Sequence, residues 1–181
     1  MRKQIAVLLA VALIVSSWTS YAEAAEKTKT RYTTQTVKLG TQKVPYNTKV
    51  ILIKSSKATS IVEYQGERYK VKTKYLHAKK AVNKYKGRKF KRVGHAKWNG
   101  YSWTWYTTRQ YPDRKNALGI KGKHKDKRGF ICDKDGYICL ASGRGNKKKH
   151  AIVPTPFGKY GKVYDTNGGY NNRWFDVYTS W

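Results

Sequence analysis

Residues 98–106 read Trp-Asn-Gly-Tyr-Ser-Trp-Thr-Trp-Tyr, and this stretch predicts the hairpin on which the C-terminal half of the fold is built. Asn99-Gly100 is a strong signal for a two-residue type I′ turn, because both central residues of that turn need a positive φ. On the strand that follows, Tyr101, Trp103 and Trp105 share one face, and the residues between them share the other. An aromatic stripe of this kind is usually part of the core, and a sugar-stacking platform is the alternative.

The last nine residues, 173–181, predict the closing strand and contain the most informative carboxylate. Asp176 lies in the middle of this strand, on the face that it shares with Trp174 and Tyr178. Aspartate is depleted in strand interiors, and aromatic neighbours should raise its pKa by desolvation. A general acid that keeps its proton near neutral pH needs such an environment, and the two rings would suit the apolar faces of a sugar. The alternative is a structural aspartate that accepts hydrogen bonds from a nearby loop.

A second hairpin is predicted over residues 130–140. If Asp135-Gly136 forms a two-residue turn, Cys132 and Cys139 lie directly opposite each other. In a secreted chain such a pair would be within reach of a disulfide, and two buried reduced thiols are the alternative. We expect no metal and no cofactor, because two cysteines and four scattered histidines lack the spacing of a metal site.

The N-terminal half shows short alternating segments over residues 37–78, with a turn at Gln65-Gly66. These segments predict a small meander or barrel, and their order resembles a bacterial SH3-like wall-binding domain. The polar residues 25–36 before them predict a flexible leader. Residues 79–92 are dense in Lys and Arg. A solvated basic linker is expected there, with a short helix or a nucleic-acid patch as alternatives.

The first 24 residues predict an export signal. Arg2 and Lys3 precede an eleven-residue apolar run, and Ala22-Glu23-Ala24 has the small-x-small pattern of a cleavage site. The run is shorter than the roughly 20 apolar residues that a spanning helix needs, so an uncleaved anchor is the less favoured alternative. We therefore expect a secreted, cell-wall-associated protein.

The charge is strongly positive. The formal net charge of the whole chain is +29, and it becomes +28 once Arg2, Lys3 and Glu23 leave with the signal. A small soluble domain typically carries a net charge of roughly 2–8, so this excess predicts an anionic partner. Wall polymers, an anionic membrane surface and extracellular nucleic acid all fit. No glutamate follows Glu67, so any general acid of the C-terminal half must be one of its aspartates.

Two C-terminal motifs together suggest a family. Residues 165–169 read Asp-Thr-Asn-Gly-Gly, and Asp176-Val177-Tyr178 begins eleven positions after the first aspartate. With the Trp-x-Gly-Tyr hairpin at 98–101, this pattern resembles the three-aspartate (3D) domain of bacterial peptidoglycan lytic transglycosylases. The resemblance spans residues 93–181 and implies a mostly β chain with a six-stranded double-psi β-barrel.

The resemblance implies cleavage of a glycan strand without water. One aspartate acts first as acid and then as base, and the product ends in a 1,6-anhydro sugar. By position, Asp176 is the acid/base and Asp165 its partner, while Trp174, Tyr178 and Thr166 are expected to contact the substrate. The first aspartate of the family, in a segment reading Ala-x-Asp-Pro, would fall near residues 141–143, where this chain has Ala-Ser-Gly.

Three functions therefore stay open at the level of sequence. The first is a secreted cell-wall lytic enzyme, and the second is a non-catalytic binder of peptidoglycan or another wall polysaccharide on the same barrel. The third is an extracellular binder of polyanions or nucleic acid, for which both basic and aromatic side chains are plentiful.

Overall fold

The computed structural model describes residues 28–107, 118–166 and 172–181, and the fold is mostly β. The predicted export signal lies outside the described residues. No helix among the described residues is long and apolar enough to cross a membrane.

The N-terminal half is a small antiparallel β unit. Its elements are β1 (Lys29–Thr33), β2 (Val37–Leu39), β3 (Gln42–Val44), β4 (Lys49–Ser55), β5 (Thr59–Tyr64), β6 (Glu67–Lys72), a 3₁₀ turn (Thr73–Tyr75) and β7 (Leu76–His77). Five strands form one sheet in the order β6-β5-β4-β1-β7, and β2 pairs with β3. The predicted turn is confirmed, because Gln65 and Gly66 both have positive φ and join β5 to β6.

The prediction of a flexible leader over residues 25–36 is wrong for residues 29–33. They form β1, which lies between β4 and β7. The segment lacks an apolar period because only Thr33 of the strand is fully buried. Its place in the sheet depends on backbone pairing, which side-chain polarity does not reveal.

The C-terminal half is a larger sheet of eight strands, where six were predicted. Its strands are β8 (His95–Trp98), β9 (Tyr101–Thr107), β10 (His124–Lys125), β11 (Ile131–Cys132), β12 (Ile138–Ser142), β13 (Ile152–Pro154), β14 (Tyr160–Asp165) and β15 (Trp174–Thr179). The main order is β10-β11-β12-β15-β9-β8, and β14 joins β12 to β13. Two of the pairs, β12 with β14 and β15 with β9, are parallel.

The β8–β9 hairpin is confirmed. Asn99 and Gly100 have φ values of 53° and 77°, and Trp98 pairs with Tyr101. Trp103 is 1% exposed at the centre of the core, and Trp105 packs at its edge. The stripe is therefore mainly core.

The second hairpin has a different register from the predicted one. Cys132 pairs with Ile138 rather than with Cys139. Paired residues share a face of the sheet and successive residues alternate, so Cys132 and Cys139 lie on opposite faces. Cys132 lies in the main core cluster, whereas Cys139 lies in a second cluster with Tyr178. Both are buried free thiols, so of the two alternatives the structure agrees with the reduced pair and not with the disulfide.

Asp133 explains the shift of register. Its side chain is 1% exposed, and its Oδ1 accepts hydrogen bonds from the backbone N–H groups of Asp135 and Tyr137. Its Oδ2 accepts from the Tyr164 hydroxyl at 2.8 Å and lies 3.3 Å from Lys162 Nζ. An aspartate that caps its own turn in this way closes a five-residue loop in place of a two-residue turn.

The basic segment 79–92 is not simply a solvated linker. Residues Gly87–Val93 form helix α1, which ends at Gly94 in the left-handed conformation. Phe90 has no exposed surface and packs against Phe157, with ring centroids 4.6 Å apart. One apolar side chain therefore fixes the helix on the core while its lysines and arginines stay in solvent.

The two halves meet at a cluster of tyrosines. Tyr137 and Tyr160 are buried there beside Ala81, with Tyr32 of β1 at the edge. The hydroxyl of Tyr137 lies 2.8 Å from that of Thr34, and the hydroxyl of Tyr160 donates to the carbonyl of Lys79. Side chains of both halves thus satisfy each other's buried polar groups.

We predict that Phe90→Ala lowers the free energy of unfolding by about 3–5 kcal/mol, because it removes a fully buried ring from a packed aromatic cluster. The matched control is Val93→Ala on the same helix, where the side chain is 43% exposed. The control should change stability by less than about 1 kcal/mol. Urea denaturation of both variants checks this, and equal effects would contradict the anchoring role of Phe90.

Candidate active site

The candidate site lies on strand β15, which separates two environments. Phe175 and Val177 point into the main core, whereas Tyr178 belongs to the smaller cluster on the other side of the sheet. Asp176 alternates with Phe175 and Val177, so it shares the side of Trp174 and Tyr178, as predicted. It keeps partial exposure between two buried rings.

A chain of two side-chain hydrogen bonds orients the carboxyl group. Strand β9 runs parallel to β15 with Thr104 opposite Asp176. The Thr104 hydroxyl donates to Asp176 Oδ1 at 3.0 Å. The same hydroxyl accepts from the indole Nε1 of Trp174 at 2.8 Å. Because the indole can only donate, the threonine proton is directed to the carboxylate.

Burial gives Asp176 an unusual acidity. Loss of solvent raises the pKa of Asp176 to about 6, although the hydrogen bonds from Thr104 and from the backbone N–H of Val177 partly oppose the shift. The protonated and ionised forms are therefore both populated just below neutral pH. A group of this acidity can donate a proton and later take one back.

The second predicted aspartate lies in the same row across the sheet. Ala141 of β12 is opposite Asp165 on one side and Asp176 on the other. The aspartates are thus two strands apart, which corresponds to about 10 Å between their Cα atoms. A bulge between Leu140 and Ala141 brings Asp165, rather than Tyr164, into this register.

Tyr106 lies within electrostatic reach of both carboxylates. Burial raises the pKa of Tyr106 above its ordinary range, and Tyr178, Asp176 and Asp165 raise it further. Its ring centroid is 4.5 Å from that of Tyr178. The Tyr106 hydroxyl therefore keeps its proton at neutral pH and can act as a hydrogen-bond donor.

The three residues predicted to contact the substrate differ in how exposed they are. Tyr178 has no exposed surface, so the prediction that its ring stacks on a sugar is wrong. Trp174 is 8% exposed and commits its indole N–H to Thr104. Both rings act mainly by excluding water from Asp176. Thr166 is exposed beside Asp165 and stays a predicted contact, and the rest of its motif lies outside the described residues.

The segment near which the first family aspartate would fall, residues 141–143, contains a buried serine and no carboxylate. Ser142 has no exposed surface, and its hydroxyl accepts the backbone N–H of Lys147 at 3.1 Å. Asp133 and Asp135 do not replace the missing carboxylate, since both belong to the β11–β12 loop. No group of three metal-ligating side chains occurs within the ranges that the structure describes.

Two functional neighbours were not singled out from the sequence. Thr104 and Tyr106 lie on the outer side of the aromatic stripe, and their role depends on the parallel pairing of β9 with β15. Residues this far apart in the chain give no local sign of that pairing. Comparison with known proteins adds nothing here, because the chain matches no family model, no curated protein and no solved structure.

We predict that Thr104→Val raises the pKa of Asp176 above the wild-type value of about 6. The substitution removes a hydrogen bond that favours the ionised form. Thr104→Ser, which keeps the hydroxyl, is the control and should stay near wild type. A carbon-13 NMR titration of the Asp176 carboxyl checks both, and an unchanged pKa in the valine variant would contradict the role of Thr104.

The raised pKa also predicts a pH-dependent stability. Folding favours the protonated form of Asp176, so its contribution is largest at low pH and is lost as pH rises through about 6. Asp176→Asn should therefore be more stable than wild type at pH 8, by up to roughly 3 kcal/mol. The advantage should shrink toward pH 4. Urea denaturation at both pH values checks this, and an asparagine variant that is less stable at pH 8 would contradict it.

Proposed function

We propose that the chain is a secreted, cell-wall-associated protein whose C-terminal half cleaves peptidoglycan glycan strands, with Asp176 as acid/base. The observation that carries this proposal is a half-buried carboxyl of pKa about 6, oriented by Thr104 and in line with a second aspartate. The sequence resemblance to the 3D domain supports the choice of substrate. The predicted export signal supports the compartment.

The chemistry needs only one carboxyl group in two protonation states. Protonated Asp176 donates its proton to the glycosidic oxygen as the bond to C1 of the MurNAc sugar breaks. The resulting carboxylate then accepts the proton of the C6 hydroxyl, whose oxygen forms the new bond to C1. The product is a 1,6-anhydro sugar, and the acid is restored without water. A hydrolytic glycosidase generally needs two carboxylates instead.

The proposed roles of the neighbours follow from their contacts. Thr104 holds Oδ1 of Asp176 in a fixed direction, and Asp176 would present its partly exposed carboxyl group to the substrate. Asp165 would stabilise the positive charge that develops on the sugar ring, and Tyr106 would donate a hydrogen bond to the glycan. Exposed Thr166 would contact the same strand.

We further propose that the C-terminal half is a double-psi β-barrel of the 3D type and that the N-terminal unit is an SH3-like wall-binding domain. The two parallel strand pairs within an otherwise antiparallel sheet support the first assignment. The antiparallel β4-β5-β6 meander with its tight turn supports the second.

A second candidate function is favoured by one specific observation. Residues 141–143, near which the first family aspartate would fall, are Ala-Ser-Gly, so this chain lacks one carboxylate of the pattern. A domain in this state could bind glycan without cleaving it. The two functions make different products, and the assay below separates them.

Incubation of the purified protein with peptidoglycan sacculi should release anhydro-muropeptides. We predict that Asp176→Asn lowers the rate by about 10²- to 10⁴-fold, the usual contribution of a general acid or base. Asp165→Asn should also lower it. Asp135→Asn is the control, because that carboxylate lies in the β11–β12 loop and pairs with Lys134.

An Asp176→Asn variant with wild-type activity would refute the site. Sacculus binding by the wild-type protein without any anhydro product would refute the enzyme and favour the non-catalytic binder. Mass spectrometry distinguishes the anhydro product from the hydrolytic one, which retains a reducing end.

A further inference from the structure

A basic groove lies at the β8–β9 hairpin. Two adjoining cavities of about 490 and 170 Å³ share Trp98, Asn99 and Tyr101 in their walls. We call the joined cavities the hairpin groove. The cationic side chains that line it are Lys79, Lys84, Lys97, Lys147 and Arg173.

The groove is cationic without compensation from its own walls. No aspartate or glutamate is among the described residues that line either cavity. Lys79, Lys84, Lys97 and Lys147 are all exposed, and the Nζ of Lys79 donates to Asn99 Oδ1 at 3.3 Å. Elsewhere Lys134 and Lys162 are compensated, because they pair with Asp135 and Asp133.

The pKa of His77 is affected by the positive charges around the groove. His77 lines the smaller cavity, and burial lowers its pKa. Lys79, Arg31 and Lys147 lower the pKa further by charge repulsion, against one hydrogen bond that raises it. An anion in the groove would offset those charges.

The floor of the groove is aromatic. Trp98 and Tyr101 are half-buried, and their inner sides pack on Trp103 and Phe175, with centroids 6.3 and 5.2 Å apart. Their remaining surface faces the cavities. Rings of this kind are rigid and amphipathic, and they contact the C–H surface of a sugar or polyol at low entropic cost.

We infer that the hairpin groove binds a phosphodiester-linked polymer of the cell wall, a polyol phosphate chain, and thereby anchors the protein beside its substrate. The lysines supply the charge for successive phosphates, and the two rings support the carbon chain between them. The choice of a wall polymer over a nucleic acid rests on the proposed function, because the peptidoglycan substrate and the polyol phosphate belong to the same wall.

Residues of both halves line the groove. His77 belongs to β7 of the N-terminal sheet and Lys79 follows it, whereas Trp98, Tyr101 and Lys147 belong to the C-terminal half. A bound chain would contact both. Asp176 is not among the described residues that line either cavity, so the anchor and the candidate active site use different residues.

The test measures binding of purified poly(glycerol phosphate) over a series of salt concentrations. Binding through phosphates should weaken linearly on a plot of log affinity against log salt. Lys79→Gln/Lys97→Gln should make this negative slope shallower by about 2, one for each lost phosphate contact. Lys38→Gln/Lys43→Gln removes the same charge from exposed positions of β2 and β3 and is the matched control. It should leave the slope near wild type.

Two further measurements sharpen the result. Trp98→Ala should weaken binding but leave the slope of the salt plot unchanged. The thermal unfolding midpoint of this variant shows whether it is folded. The pKa of His77, followed by NMR, should rise when poly(glycerol phosphate) is added, because bound phosphate offsets the nearby lysines.

Equal slopes in the two double variants would overturn the groove as the binding site. Displacement of the polymer by single-stranded DNA of equal charge, at the same or a lower concentration, would overturn the choice of ligand. Asp176→Asn should bind the polymer as wild type does. Cleavage of sacculi without polymer binding would refute the groove alone, whereas polymer binding without cleavage would refute the proposed enzyme and leave the groove standing.

Discussion

The position of β15 between β12 and β9 is the constraint on which the C-terminal half depends. The strand is antiparallel to one neighbour and parallel to the other, and this arrangement fixes what its two faces meet. One face completes the core through Phe175 and Val177, which have almost no exposed surface. A slip by one residue would place Asp176 in that core and both apolar side chains outside it. The register of β15 therefore determines both the burial of the core and the position of Asp176.

The same strand shows how an acidic group is tolerated in a sheet. Asp176 keeps hydrogen bonds from Thr104 and from the backbone of Val177, and partial contact with solvent, so its ionised form is disfavoured without being excluded. Asp133 shows the opposite solution, because it is fully buried but satisfied by backbone and side-chain donors around it. A fully satisfied carboxylate organises a loop. A partly satisfied one keeps the freedom to exchange a proton.

Local sequence signals predicted the features that depend on neighbouring residues. Asn99-Gly100 and Gln65-Gly66 form the expected turns, and alternation placed Asp176 on the correct face of its strand. Features that depend on distant partners could not be predicted in this way. Thr104 joins the site through a parallel pair, β1 is held by backbone pairing, and Phe90 is the one large apolar side chain that α1 buries. The predicted pairing of Cys132 with Cys139 was wrong because the Asp133 side chain competes with the backbone for the hydrogen bonds of the turn.

The separate burial of the two cysteines has a chemical consequence. Burial raises the pKa of the Cys132 thiol to about 11, so very little of the reactive thiolate forms at neutral pH. Thiolate is the species that peroxides and alkylating reagents attack. Cys139 lies across the sheet, beyond the geometry of an intramolecular bridge. Burial therefore protects the Cys132 thiol of the folded chain from such reagents, and the fold holds without a disulfide between the two cysteines.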